Sequence, residues 1–156
     1  MRMKKKARRT FFEGAKMGSH KKERRSILEG VPEDSSSLSR AYQLTEIASR
    51  AGFDWPNIAG VLRKLDEEIG EFREALSLRN RRKMREELGD LLFVLANIAR
   101  FLHIDPEEAL RRTLEKFVLR FHYIETSLQK KGKSLHQSDL IEMDRLWEEA
   151  KKRKGK

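Results

Sequence analysis

Beyond residue 37, apolar residues recur at spacings of three and four along most of the chain, and this pattern predicts five helices. A first helix over about 38–51 places Leu38, Ala41, Tyr42, Leu44, Ile47 and Ala48 near one face, and Gly52 suits its end. Pro56 is suited to the first turn of a second helix, about 57–78, whose stripe runs Ile58, Val61, Leu62, Leu65, Ile69, Phe72 and Leu76. Asn80 can cap a third, about 81–102, with Met84, Leu88, Leu91, Leu92, Leu95, Ile98 and Ala99. Asp105-Pro106-Glu107-Glu108 combines a cap, a proline at the first position and acids in the first turn, so a fourth helix runs from there to about Lys130 through Leu110, Leu114, Phe117, Val118, Phe121 and Ile124. Gly132 breaks it, and a fifth over about 138–151 carries Leu140, Ile141, Met143, Leu146 and Trp147. Nothing repeats at a fixed period. The expectation is an all-α helical bundle.

Composition supports helices and removes other classes. Of 156 residues only 3 are proline and 9 glycine, and aromatics are 8%, which disfavours a β-rich fold. With no cysteine there is neither a disulfide nor a thiolate metal site, and the cytoplasm is the expected setting. No apolar run approaches the length of a membrane span. The net charge of +10 is concentrated at one end: residues 1–25 carry 11 basic side chains against Glu13 and Glu23, while the remaining 131 residues hold a net of +1. The chain therefore divides into a basic leader expected to be disordered (1–26), a linker (27–37), a helical domain (38–151) and a short basic tail (152–156). Such a leader can contact nucleic-acid phosphates in a salt-dependent way.

The informative feature is where certain acids fall. Glu68 lies three after Leu65 and four before Phe72, inside the stripe of the second helix, and Glu71 is one turn further on. On the third helix Glu87 lies three after Met84 and four before Leu91, and Asp90 is again one turn on. Two successive helices thus present E-x-x-E and E-x-x-D beside surfaces that ought to be buried. Burying four carboxylates together is costly unless cations compensate them. An all-oxygen donor set suits Mg²⁺ or Mn²⁺. In a chain with 38% charged residues, a single such motif is more often a solvated face; two on consecutive helices balance that reading.

Lys116 and Arg120 are four apart on the fourth helix, so both can reach one polyanion, and Lys64 and Lys83 each precede a site acid by four residues; taken singly, each is more often an ordinary surface cation. Asn97, two turns beyond Asp90, can donate to a base or sugar, or serve as a satisfied core amide. Hard metals, acids and cations together point to phosphate chemistry, with Glu67 or Glu71 orienting an attacking water. No glycine-rich GxxxxGK[ST] loop occurs, and His103, His122 and His136 have no ligand spacing. Phe53 and Trp55 read as core or interface aromatics rather than base-stacking groups.

KLDEEIGE at 64–71 and REELGDLLFVLANIAR at 85–100 resemble the MazG family of nucleoside triphosphate pyrophosphohydrolases, as do ILEGVP (27–32), RAGFDWP (50–56), DPEEALRRTLEKFVLRFHYIE (105–125) and MDRLWEEAK (143–151). The resemblance implies an all-α fold completed by homodimerisation and Mg²⁺-dependent cleavage of a nucleoside triphosphate to monophosphate and pyrophosphate. By motif position it implies Glu68, Glu71, Glu87 and Asp90 as metal ligands, with Glu67 beside them as ligand or water-orienting group. It also implies Lys64, Lys83, Lys116 and Arg120 as phosphate contacts, Trp147 as a nucleotide-contacting aromatic, and Glu86 and Asn97 as nearby site groups. Many family members carry two tandem copies of the domain; this chain holds one, similar to the C-terminal copy. The alternatives are a narrower relative acting on dUTP, dCTP or phosphoribosyl-ATP, and a non-enzymatic helical module that binds nucleic acid or a partner through the leader.

Overall fold

Each long helix begins at a side chain able to take over an unpaired backbone N–H. Ser36, Asn57, Asn80, Asp105 and Asp139 all accept from amides in the first turn of the helix they precede. The computed structural model describes residues 26–153. Its helices are α1 (Ser37–Arg50), α2 (Ile58–Ser77), α3 (Arg81–Phe101), α4 (Pro106–Lys130) and α5 (Leu140–Lys152). Short 3-10 turns occupy Ile27–Gly30 and Leu135–Gln137, and there is no strand among the described residues. The all-α expectation is met. The leader over 1–25 and the end of the tail, 154–156, lie outside the described residues, and no described helix is long and apolar enough to cross a membrane.

Helix boundaries differ from the sequence expectation by a residue or two, and two of the differences have a clear cause. Pro56 precedes the cap Asn57 instead of opening the helix, because the Asn57 side chain accepts from the Gly60 amide and starts α2 one residue later. The fifth helix begins at Leu140 rather than near 138, since 135–137 closes its own turn and Asp139 serves as the cap of α5. Gly52 (φ +89°) and Gly132 (φ +71°) come just after the ends of α1 and α4 in the left-handed conformation that only glycine adopts cheaply. Arg79 and His103 take the same conformation after α2 and α3 without that freedom, at roughly 1 kcal/mol each.

α2 and α3, joined by three residues, pack as an antiparallel hairpin; α1 lies against α3. α4 and α5 form a second hairpin whose core is Ile124, Leu128 and Leu146, supported by Phe121, Met143 and Trp147. α1 carries the main contact between α4 and the rest. Much of the expected apolar stripe stays uncovered in the single chain: Leu88, Leu92 and Leu95 on α3 and Leu114, Phe117 and Val118 on α4 are between 49% and 63% exposed. A monomer seldom leaves so much apolar surface in water.

The loop that closes the second hairpin hangs on one carboxylate. Glu142 accepts from Lys131 Nζ (2.8 Å), Lys133 Nζ (3.0 Å) and Ser138 Oγ (3.1 Å). These bonds, led by the one from Lys131, draw its pKa down from 4.5 to about 2. A depressed carboxyl stabilises the fold above its unfolded pKa, and that contribution disappears as pH falls through the folded value. Glu142→Gln is therefore expected to lower the thermal midpoint at pH 7. The deficit shrinks as pH drops below 4.5 and vanishes near pH 2, as thermal melts across that range would record.

Candidate active site

The acids of α2 and α3 meet across the first hairpin. Glu68, Glu71 and Glu87 each bring one carboxylate oxygen within 4.8 Å of the other two. Glu68 is buried, Glu87 half-buried and Glu71 exposed, so the group runs from the inter-helix seam out to solvent. Lys64, one turn before Glu68, reaches its Oε1 at 2.7 Å and the Oε1 of Glu67 at 2.8 Å. Those two carboxylates, Glu67 first, hold the Lys64 ammonium well above its ordinary pKa. The other oxygen of Glu68, Oε2, is sealed from solvent and has no hydrogen-bond partner. An orphaned carboxylate oxygen is expensive unless something cationic faces it.

Glu87 reports the same crowding. Burial pushes its carboxyl up, and the charges of Glu71, Asp90 and Glu68 add to that, against a smaller opposing effect of Lys83. Asp90 lies in this field, yet it is exposed and stands outside the three-acid group. Glu67 is exposed and held by Lys64; Glu86 is exposed and takes Arg82 at 3.0 Å. Asn97 is buried, 2% exposed, and its Oδ1 accepts from Arg100 Nε at 2.8 Å. Arg100 in turn forks onto Asp54, 3.0 Å from Nη1 to Oδ2 and 2.6 Å from Nη2 to Oδ1.

Lys116, Arg120 and Trp147 belong to the other hairpin. Lys116 and Arg120 line a 410 Å³ cavity there with Tyr123, Lys151 and Arg153. The Arg120 guanidinium sits 5.5 Å from the Trp147 ring centre, and Phe117 packs 5.4 Å from that ring. Within one chain, then, the acids with Lys64 form one locus and the α4–α5 cations with Trp147 another. The sequence reading had no route to the Asp54–Arg100 pair, because its partners stand 46 residues apart. Its only trace was an arginine on the apolar side of α3.

Three converging carboxylates, one with an unshared buried oxygen, fit a hard divalent cation better than they fit each other. Glu68, Glu71 and Glu87 are the residues placed to hold it.

A bundle with this acidic seam matches known proteins. Residues 57–124, which span α2, α3 and most of α4, match the MazG nucleotide pyrophosphohydrolase domain. The chain is 44% identical over 115 residues to the nucleoside triphosphate pyrophosphohydrolase/pyrophosphatase MazG of Thermotoga maritima, covering 74% of this chain and 44% of that protein. It is 33% identical over 133 residues to the nucleoside triphosphate pyrophosphohydrolase of Escherichia coli, covering 84% and 51% respectively. A 68-residue stretch is 50% identical to an uncharacterized Bacillus subtilis protein, YabN, of which it covers 14%. Residues 57–124 thus carry a MazG nucleotide pyrophosphohydrolase domain, and the chain spans about half the length of these two pyrophosphohydrolases.

Proposed function

We propose that the protein hydrolyses nucleoside triphosphates to nucleoside monophosphate and pyrophosphate, with Mg²⁺ held by Glu68, Glu71 and Glu87 and with Asp90 as a further ligand on the solvent side. The observation that carries this is the convergence of three carboxylates, one of which, Glu68, keeps a buried oxygen with no partner. A bound divalent ion would supply charge neutralisation of the polyphosphate and a more acidic water. The chain's own groups do the rest. Lys64 fixes the rotamers of Glu67 and Glu68 from one side, so the acidic face stays pre-ordered before substrate arrives. Exposed Glu71 and Glu67 stand where a water can be oriented and its proton accepted. Lys83, one turn before Glu87, can meet a phosphate at the rim. Water adds across the α–β anhydride: its hydroxyl stays on one phosphoryl group, its proton passes to a carboxylate, and pyrophosphate leaves with the anhydride electrons.

The same reading includes a homodimer. Uncovered leucines on α3 and α4, and the separation of Lys116, Arg120 and Trp147 from the acids, are both accounted for if a second copy covers the apolar face and brings its α4–α5 cations over the first copy's acids. Arg120 and Lys116 would then hold the outgoing phosphates. The test is a triphosphate incubated with and without Mg²⁺ and its products separated by anion exchange. Monophosphate and pyrophosphate in equal amounts, only with the metal, are the expected result; diphosphate with orthophosphate would refute the assignment.

A further inference from the structure

Beside the acidic seam lies a 300 Å³ cavity between α1, α3 and the loop that joins α1 to α2. Phe53, Trp55 and Phe93 line it with Leu28, Leu44 and Ala48, so its walls are mostly apolar, and its volume is at the lower end of those that hold small molecules. On α3, Asp90, Phe93 and Asn97 run along one side of the helix from the acids to this cavity. Two turns separate Asp90 from Asn97, about 10 Å along the axis, which matches the reach of a nucleotide from its phosphates to its base. Phe53, 82% exposed, and half-exposed Phe93 offer flat apolar surface that a base would cover. The sequence assigned Phe53 and Trp55 to core or interface; their position on this cavity gives them a different use. Gly60 fits the same arrangement, since a Cβ there would come within 2.6 Å of the Trp55 ring.

The Asn97 amide has a fixed orientation on the cavity. Arg100 Nε can only donate, so the Asn97 atom facing it must be Oδ1, and the planar amide then turns Nδ2 the other way. No described residue accepts from that nitrogen, and it is not among the atoms sealed from solvent. Of the Asp54 carboxylate, Oδ1 accepts from both Arg100 Nη2 and the Trp55 amide at 2.8 Å, and Oδ2 accepts from Arg100 Nη1. Thr45 Oγ1 spends its proton on the Ala41 and Tyr42 carbonyls of its own helix. The cavity therefore presents a fixed N–H donor, Asn97 Nδ2, beside a carboxylate turned onto Arg100.

We propose that this cavity receives the base of the triphosphate and that Asn97, locked by the Arg100–Asp54 fork, selects bases carrying a carbonyl at that edge (6-keto purines and 4-keto pyrimidines) over their amino counterparts. The inference rests on the pyrophosphohydrolase reading for its substrate class. A keto oxygen accepts from Asn97 Nδ2; an exocyclic amino group sets N–H against N–H and leaves the buried amide unpaired. Arg100 and Asp54 are positioning residues, since they fix which way the amide faces.

The experiment compares kcat/KM of the full chain on inosine and adenosine triphosphates, which differ at position 6, and on dUTP and dCTP, which differ at position 4. The wild type is expected to favour inosine triphosphate and dUTP by about tenfold or more. Asn97→Asp replaces the donor with acceptors, so the preference is expected to disappear or invert. Equal kcat/KM for each pair in the wild type, or an unchanged ratio in a folded Asn97→Asp protein, would overturn the proposal. If circular dichroism shows that variant unfolded, the wild-type ratios decide alone. Absence of hydrolysis with every triphosphate would count against the pyrophosphohydrolase reading instead. Calorimetric titration with inosine and adenosine monophosphates would then decide the base preference: tighter inosine binding supports it, and equal binding overturns it.

Discussion

Glu68→Gln is expected to reduce Mg²⁺-dependent pyrophosphate release by about 100-fold or more while the protein stays folded, with a thermal midpoint in metal-free buffer equal to or above that of the wild type. Both effects arise from one arrangement. Glu68 is buried, shares its seam with Glu71 and Glu87, and keeps one oxygen without any partner. Removing its charge takes away the buried ligand of the group and also relieves like-charge repulsion that the metal-free fold must tolerate. The Gln amide can still accept from Lys64 through its oxygen, so the contact at 2.7 Å has a neutral replacement. Steady-state pyrophosphate release and a circular-dichroism melt measure the two effects. Activity within threefold of wild type would show that the carboxylate is not a ligand that matters to turnover. A collapse of the melt would show that it is a structural ion pair.

Mixing two inactive proteins is expected to restore activity. Glu68→Gln disables the acidic locus on α2–α3, and a Lys116→Ala, Arg120→Ala double variant disables the cationic locus on α4. If each site takes acids from one copy and cations from the other, a heterodimer of the two carries one site with both defects and one with none. Random exchange makes half the dimers heterodimers, each with one working site of two, so recovery approaches about a quarter of the wild-type rate. Refolding the two variants together from denaturant, and assaying the mixture against each refolded alone, gives the answer. A mixture no more active than its components would place both loci in one chain's own site, or remove the cations from the site altogether.

Much of the fold was legible because local chemistry decides it. Caps at Asn80 and Asp105, glycines at 52 and 132 and the three–four apolar spacing each act within a few residues, and all five helices fall where those signals put them. At Pro56 and at 138–139 two adjacent residues compete for one role, and hydrogen bonding settles which takes it. The convergence of Glu68, Glu71 and Glu87 was also legible, because consecutive helices with a three-residue link must lie side by side. What periodicity could not supply was depth and distance. It placed Asp90 on the same footing as Glu87, whereas the fold leaves Asp90 exposed at the edge of the group. It expected the stripes of α3 and α4 to be inside, and one copy of the chain leaves them in water. The Arg100–Asp54 fork, which sets the Asn97 amide, joins segments that share no local pattern.

Paramagnetic resonance of Mn²⁺ titrated into the full chain, with Mg²⁺ as competitor, addresses the acidic seam without any substrate. Saturable binding displaced by Mg²⁺ in the wild type, and lost in both Glu68→Gln and Glu87→Gln, is the expected outcome. Free-ion signal throughout the wild-type titration, or equal binding by the two variants, would mean that these carboxylates crowd together for some reason other than a shared cation.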